Sequence, residues 1–216
     1  MEKRKSLILM VLAGMIAALG AIGFYYWYNN AFYVTTDDAR ITGDLVKICP
    51  QVTGKLLEFT VEEGDAVLQD QIIGRQETIN LPDNAIDQSV IRAPINGIII
   101  KKAANIGEIE SMGQTLAVMV DPDQMYVSAD IEETSLGRVK PGQTAEFTVD
   151  QFPGIKFTGK VRSVGEASNS TFSLLPTSTG STFTKVVQRI PVKIRFARTN
   201  VKLLPGTNAI VRIHVR

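Results

Sequence analysis

Hydrophobic and polar positions fall into three regimes along the chain. From Leu7 to Tyr28 the text LILMVLAGMIAALGAIGFYYWY runs 22 residues without a charge. At about 1.5 Å per residue this is about 33 Å of helix, enough to cross a hydrocarbon core of about 30 Å. Lys3, Arg4 and Lys5 precede it, and no lysine or arginine follows until Arg40. That asymmetry predicts a cytoplasmic N-terminus (residues 1–6) and an extracytoplasmic remainder, with Phe24 to Tyr28 as an interfacial aromatic belt. A cleavable signal peptide would carry a shorter apolar region, about 7–15 residues, and a small-residue cleavage site. The longer run ending in five aromatics argues for an uncleaved single-pass anchor over residues 7–28. Gly14 with Ala18, and Ala13 with Ala17, are small-residue pairs of the kind that pack helices, a weak signal in so Ala-rich a span.

After a linking strand over 29–44 the pattern shortens to β-type runs separated by turns. Val211, Ile213 and Val215 alternate with Arg212, His214 and Arg216, and Val192, Ile194 and Phe196 alternate with Lys193 and Arg195. Lys140-Pro141-Gly142-Gln143 and Leu204-Pro205-Gly206-Thr207 are Pro-Gly turns. The best helical candidate is short, Ile131 to Val139, about two turns. Many short strands at this spacing predict one small β-barrel or sandwich over 121–216. Within it, Gly165 to Lys185 is a Ser/Thr-rich loop that carries Phe172, Leu174, Leu175 and Phe183. Apolar side chains on such a loop either serve a partner or greasy ligand or fold back on the barrel; the sequence leaves both open.

The middle regime is written twice. PQVTGKLLEFTVEEGDAV at Pro50 and APINGIIIKKAANIGEIE at Ala93 share a frame offset of 43 positions. The offset superposes Gly54 on Gly97, Gly64 on Gly107, Asp70 on Gly113, Gln71 on Gln114 and Ile73 on Leu116. Recurrent glycines mark turns that need positive φ or close strand approach. Two halves of this kind, about 45–75 and 92–120, resemble the biotinyl/lipoyl domain, a flattened β-barrel built from two similar half-motifs. In a carrier of that family the joint between halves displays the modified lysine. Here the joint, Gln76 to Ile91, contains no lysine, which counts against a biotin or lipoate carrier and implies no cofactor.

The order of membrane helix, lipoyl-like halves and β-barrel resembles the HlyD-type periplasmic adaptor, or membrane fusion, family. The finer resemblance is to its EmrA-like multidrug-export branch. It is carried by TTDDARITGDLVKICPQVTGKL from Thr35, DIEETSLGRVKPGQTAEFTVD from Asp130, FSLLPTSTGSTFTKVVQRIPVKIRF from Phe172 and LLPGTNAIVRI from Leu203. The resemblance implies a homo-oligomeric adaptor on an inner-membrane transporter of the major-facilitator type, helping to export drugs or other small molecules. It also implies a long α-helical hairpin between the halves, and only 16 residues fill that joint. Two helical arms of about seven residues reach about 10 Å, so contact with an outer-membrane channel through a long hairpin is not expected.

Charge adds an exclusion. Lysine plus arginine number 23 and aspartate plus glutamate 22, a balance unsuited to holding nucleic acid by its phosphates. The lone Cys49 allows no intrachain disulfide and reads as a small buried residue. The lone His214 lies on a polar strand face, and no metal cluster, phosphate loop or nucleophile motif is present. The paired carboxylates Asp37-Asp38, Glu62-Glu63 and Glu132-Glu133 are assigned to turns and strand ends, and Lys101 and Lys102 to solvent. An enzyme is therefore not expected. The residues assigned to a partner or substrate are Phe172, Leu174, Leu175, Lys185, Gln188 and Arg189. The rival reading is a stand-alone envelope binding module without a transporter.

Overall fold

The computed structural model describes residues 2–77, 83–168, 187–199 and 201–215, with side chains from Leu12 onward and those of 83–85 excepted. The chain opens with helix α1 (Glu2–Phe32) and β1 (Tyr33–Thr42). Eight short strands follow: β2 (Leu45–Ile48), β3 (Gly54–Phe59), β4 (Ala66–Val67), β5 (Ile72–Glu77), β6 (Val90–Arg92), β7 (Gly97–Lys102), β8 (Ile109–Glu110) and β9 (Ala117–Val120). The remainder is β10 (Tyr126–Glu132), the single turn α2 (Glu133–Leu136), β11 (Thr144–Val149), β12 (Lys156–Val164), β13 (Arg189–Phe196) and β14 (Asn208–His214). The molecule is mainly β and divides into two units.

One unit holds the duplicated text. Its sheets have the orders β2-β9-β7-β4 and β6-β5-β3-β8. Exchanging each strand of the first half for its copy turns one order into the other. The hydrogen bonds repeat with the same offset. Gly64 N–H donates to the Ile99 carbonyl at 2.8 Å, and Gly107 N–H to that of Leu56 at 2.7 Å. Gln69 N–H donates to Asn96 Oδ1 at 2.8 Å, and Met112 N–H to Thr53 Oγ1 at 3.2 Å. Backbone conformation repeats too: φ is +98° at Gly64 and +96° at Gly107, and +64° at Asp70 and +81° at Gly113. The core is built of equivalent pairs, Leu56 with Ile99 and Ile73 with Leu116, all fully buried. In the joint, Gln76 and Glu77 end β5, Asp83–Ser89 form a 3₁₀ turn, and Val90 and Ile91 begin β6.

The other unit is a closed six-stranded barrel of order β1-β10-β13-β12-β11-β14. Alternation along each strand fills it with Val34, Ile131, Phe147, Val161, Ile194 and Ile213. Phe147 stacks on Phe157 with ring centres 5.3 Å apart. The helical turn expected over Ile131–Val139 is shorter. Ile131 lies in β10, where its buried side chain belongs to the alternating pattern, and only Glu133–Leu136 is helical.

Helix α1 belongs to the barrel unit and runs directly into β1. From Leu12 to Tyr28 its residues are exposed and apolar or aromatic on every side: Leu12, Met15, Ile16, Leu19, Ile22 and Phe24 are each at least half exposed. Among the described residues no helix is long and apolar enough to cross a membrane. The described side chains begin at Leu12 and so cover only part of the Leu7–Tyr28 stretch.

Three local expectations are corrected. Cys49 is half-buried rather than buried. Asp37 and Asp38 lie inside β1, at an irregularity in its pairing with β14 between Thr36 and Ala39, not at a turn. Lys102 is not freely solvated: its Nζ lies 2.6 Å from Glu62 Oε1 and 5.7 Å from the Phe59 ring centre.

Candidate partner-binding surface

The loop singled out above leaves the barrel between β12 and β13. Its base is closed by the strands themselves. Gly165 N–H donates to the Pro191 carbonyl at 2.8 Å. A Cβ at Gly165 would lie 2.9 Å from that oxygen and 3.1 Å from the proline ring, so only glycine lets the strands come so close. Phe172, Leu174, Leu175 and Lys185 lie outside the described residues. The chain is described again from Val187, an exposed apolar residue.

Gln188 and Arg189 are fixed by different neighbours. The Gln188 carbonyl accepts the Glu133 N–H at 2.9 Å, which ties the returning strand to α2. Arg189 Nη1 donates to Asp38 Oδ2. That hydrogen bond and the Asp38 charge, with smaller help from Asp37 and Glu132, hold the guanidinium above its ordinary range, in its charged form. Asp38 also has Arg40 Nη2 at 3.8 Å. Its backbone is held in turn: Asp38 N–H donates to Thr36 Oγ1 at 3.2 Å, and the Thr36 hydroxyl donates to the Asp130 carbonyl at 2.9 Å. The structure therefore joins Arg189 to Asp38, a residue that sequence reasoning left to solvent. The missed signal is an Asp-Asp pair inside an otherwise alternating strand.

At the start of β1 the barrel holds the end of α1. Val215 N–H donates to the Phe32 carbonyl at 2.9 Å. Arg138 Nη1 donates to the Asn30 carbonyl, and Arg212 Nη2 to Asn29 Oδ1. The Arg212 guanidinium also sits 3.7 Å over the Tyr33 ring. Arg138 thus satisfies one free carbonyl at the helix C-terminus, Arg212 holds a side chain of the same turn, and both cations complement the helix dipole.

Comparison with known proteins agrees with this architecture. Residues 44–122 match the RND MFP barrel-sandwich hybrid domain, and residues 125–213 the YknX-like beta-barrel domain. YhbJ of Bacillus subtilis (strain 168), assigned by its name to an efflux system, is 34% identical over 213 residues, covering 97% of this chain and 93% of YhbJ. The multidrug export protein EmrA of Haemophilus influenzae is 32% identical over 136 residues, covering 59% of this chain and 35% of that protein. The chain thus spans nearly all of YhbJ but only about a third of EmrA. Among solved structures, the periplasmic adaptor protein EmrA aligns over 85% of this chain and 99% of its own, with TM-score 0.58 at 15% identity. MacA from Actinobacillus actinomycetemcomitans aligns over 86% of this chain and 80% of its own, with TM-score 0.64 at 15% identity. At such identities these two support the fold alone. With both domain matches and a relative that is similar from end to end, the chain belongs to the membrane fusion protein family, the EmrA-like adaptors of efflux systems.

Proposed function

We propose that this chain is an extracytoplasmic adaptor held in the plasma membrane by α1, with its N-terminus in the cytoplasm. It assembles with copies of itself above an inner-membrane transporter of the major-facilitator type and guides small molecules outward. The observation that carries this reading is the junction of helix and barrel. An apolar, exposed helix passes into β1 without a linker, and Arg138, Arg212 and Val215 bind its last turn. A helix apolar all round is suited to a bilayer or to another helix. The positive-inside pattern and the aromatic belt fit the same orientation. The surface facing the partner or substrate is assigned to Phe172, Leu174, Leu175 and Lys185 on the loop and to Gln188 and Arg189 at its exit. Energy coupling belongs to the transporter. The short joint implies no contact with an outer-membrane channel through a long hairpin.

The test is an in-membrane crosslink from the full chain in its native host, with mass spectrometry of what is captured. Capture of a polytopic exporter, lost when Leu7–Tyr28 is replaced by an unrelated membrane helix, supports the reading. Capture of envelope components without any transporter turns the assignment to a stand-alone binding module.

A further inference from the structure

The outer wall of the barrel is sorted by charge. Strands β12 and β13 contribute Lys156, Lys160, Arg162, Arg189, Lys193 and Arg195 and not one carboxylate. Strands β1 and β10 with the α2 turn contribute Asp37, Asp38, Asp130, Glu132 and Glu133 against a single arginine, Arg40. The two sectors are adjacent, meeting where β10 pairs with β13. The basic sector is held at a cost: Lys160 and Arg195 are direct cross-strand partners, and like charges placed opposite each other destabilise a sheet. Among the described residues Lys156, Lys160, Arg162 and Arg195 form no ion pair with a carboxylate, whereas Arg189 reaches back to Asp38 in the acidic sector.

We infer that the β12–β13 face of one copy docks on the β1–β10–α2 face of the next. This deepens the assembly reading above and rests on it. The occupant follows from complementarity: the counter-charge missing from one sector is displayed by the neighbouring sector of the same chain, and Arg189 with Asp38 shows the pairing within one copy. Such a contact is heterologous. Because the two faces are neighbouring parts of one wall rather than opposite, successive copies turn about an axis, and such a heterologous contact gives a ring where the rotation closes and a helical array where it does not. Charge pairing of this kind steers encounter and fixes register, and salt screens it.

The experiment is sedimentation velocity of the full chain in detergent, at low and high salt, for wild type, two charge-reversed variants and the mixture of those variants. Wild type should associate, with at least a tenfold weaker constant at high salt. The pairs Lys160→Glu with Arg195→Glu, and Glu132→Lys with Glu133→Lys, should each weaken self-association tenfold or more. A one-to-one mixture of the two variants should recover it, because each reversed face then meets its complement; a misfolded variant cannot be rescued in this way. Unchanged association in both variants overturns the inference. So does a loss that mixing does not repair. Salt-sensitive wild-type binding to vesicles of anionic lipid, abolished by the Lys160/Arg195 pair while self-association is unaffected, would assign the basic face to a lipid surface instead. Transporter capture by the same variants separates the two levels. If it persists without charge-dependent association, only this contact is wrong.

Discussion

Glu110 should be a net cost to the duplicated unit, and replacing it with valine should stabilise that unit. Its side chain is 1% exposed, and neither carboxylate oxygen has a hydrogen-bond partner among the described residues. Burial, with the Glu108 charge adding to it, pushes its pKa up. The equivalent position 43 residues earlier is Val67, 3% exposed and in the same register: Gly54 pairs with Glu110 as Gly97 pairs with Val67. Leaving a buried polar group unpartnered costs about 1–3 kcal/mol. Glu110→Val removes that cost and keeps an apolar side chain already accommodated at the matching site. Hydrogen exchange of the full chain is the suitable assay, since it reads each unit separately and the only tryptophan, Trp27, lies in α1. The amides of Leu56 and Ile99, bonded across the halves to Glu108 and Asp65, should exchange about 5- to 150-fold more slowly in the variant at neutral pH. The pH dependence has a definite sign. A carboxyl with a raised pKa in the folded state favours folding below its unfolded pKa of about 4.3, and that contribution is lost as pH rises through the folded value. The gain from Glu110→Val should therefore shrink on acidification toward that value. Faster exchange in Glu110→Val and also in Glu110→Gln, which keeps the shape and removes the charge, would refute the reasoning and mean that the carboxylate is satisfied.

Three further outcomes follow from geometry. Gly64→Ala and Gly107→Ala each place a Cβ at φ near +97°, where an L-residue costs about 1–2 kcal/mol, and the internal symmetry requires near-equal losses of exchange protection in the two halves. Gly97→Ala would put a Cβ 2.4 Å from the Val120 carbonyl oxygen, so the β7–β9 pairing must shift; a loss of about 1–3 kcal/mol should appear in β7 and β9 amides, with the barrel unaffected. Thr36→Val removes the donor to the Asp130 carbonyl and the acceptor for Asp38 N–H, and should lower barrel stability by about 1 kcal/mol, read from exchange in β1 and β10.

The repeat was legible because turns constrain residue type locally. Positive φ at Gly64 and Gly107 admits little but glycine, so two copies of one turn leave the same letters at the same spacing. The barrel strands were legible because alternation across a closed wall has period two, clearest in β13 and β14. The single turn of α2 was misread because Ile131 to Val139 holds helix-compatible residues, while the barrel interior claims Ile131 for β10. At the loop, position in the chain suggested Arg189, but its partner Asp38 is 151 residues away. Local patterning cannot encode such a contact, and an Asp-Asp pair reads as solvated unless the fold brings a cation to it. Glu110 is a different kind of failure, because its signal was available. Once the 43-residue frame is fixed, each core position can be read against its copy, and the frame sets Glu110 against Val67 and Gln76 against Met119. Both polar members gather at Gly54. Gln76 Nε2 donates to its carbonyl at 3.2 Å, Glu110 pairs with it across β3 and β8, and Gln76 Oε1 also has no partner among the described residues. A duplicated fold thus carries its own control. Where the halves agree, shared turns and packing explain the residue, and where they differ inside the core, packing is not the reason for the polar choice. That contrast is why Glu110→Val tests more than one side chain: if the unit gains stability, the polar member of the pair was kept at the expense of the fold.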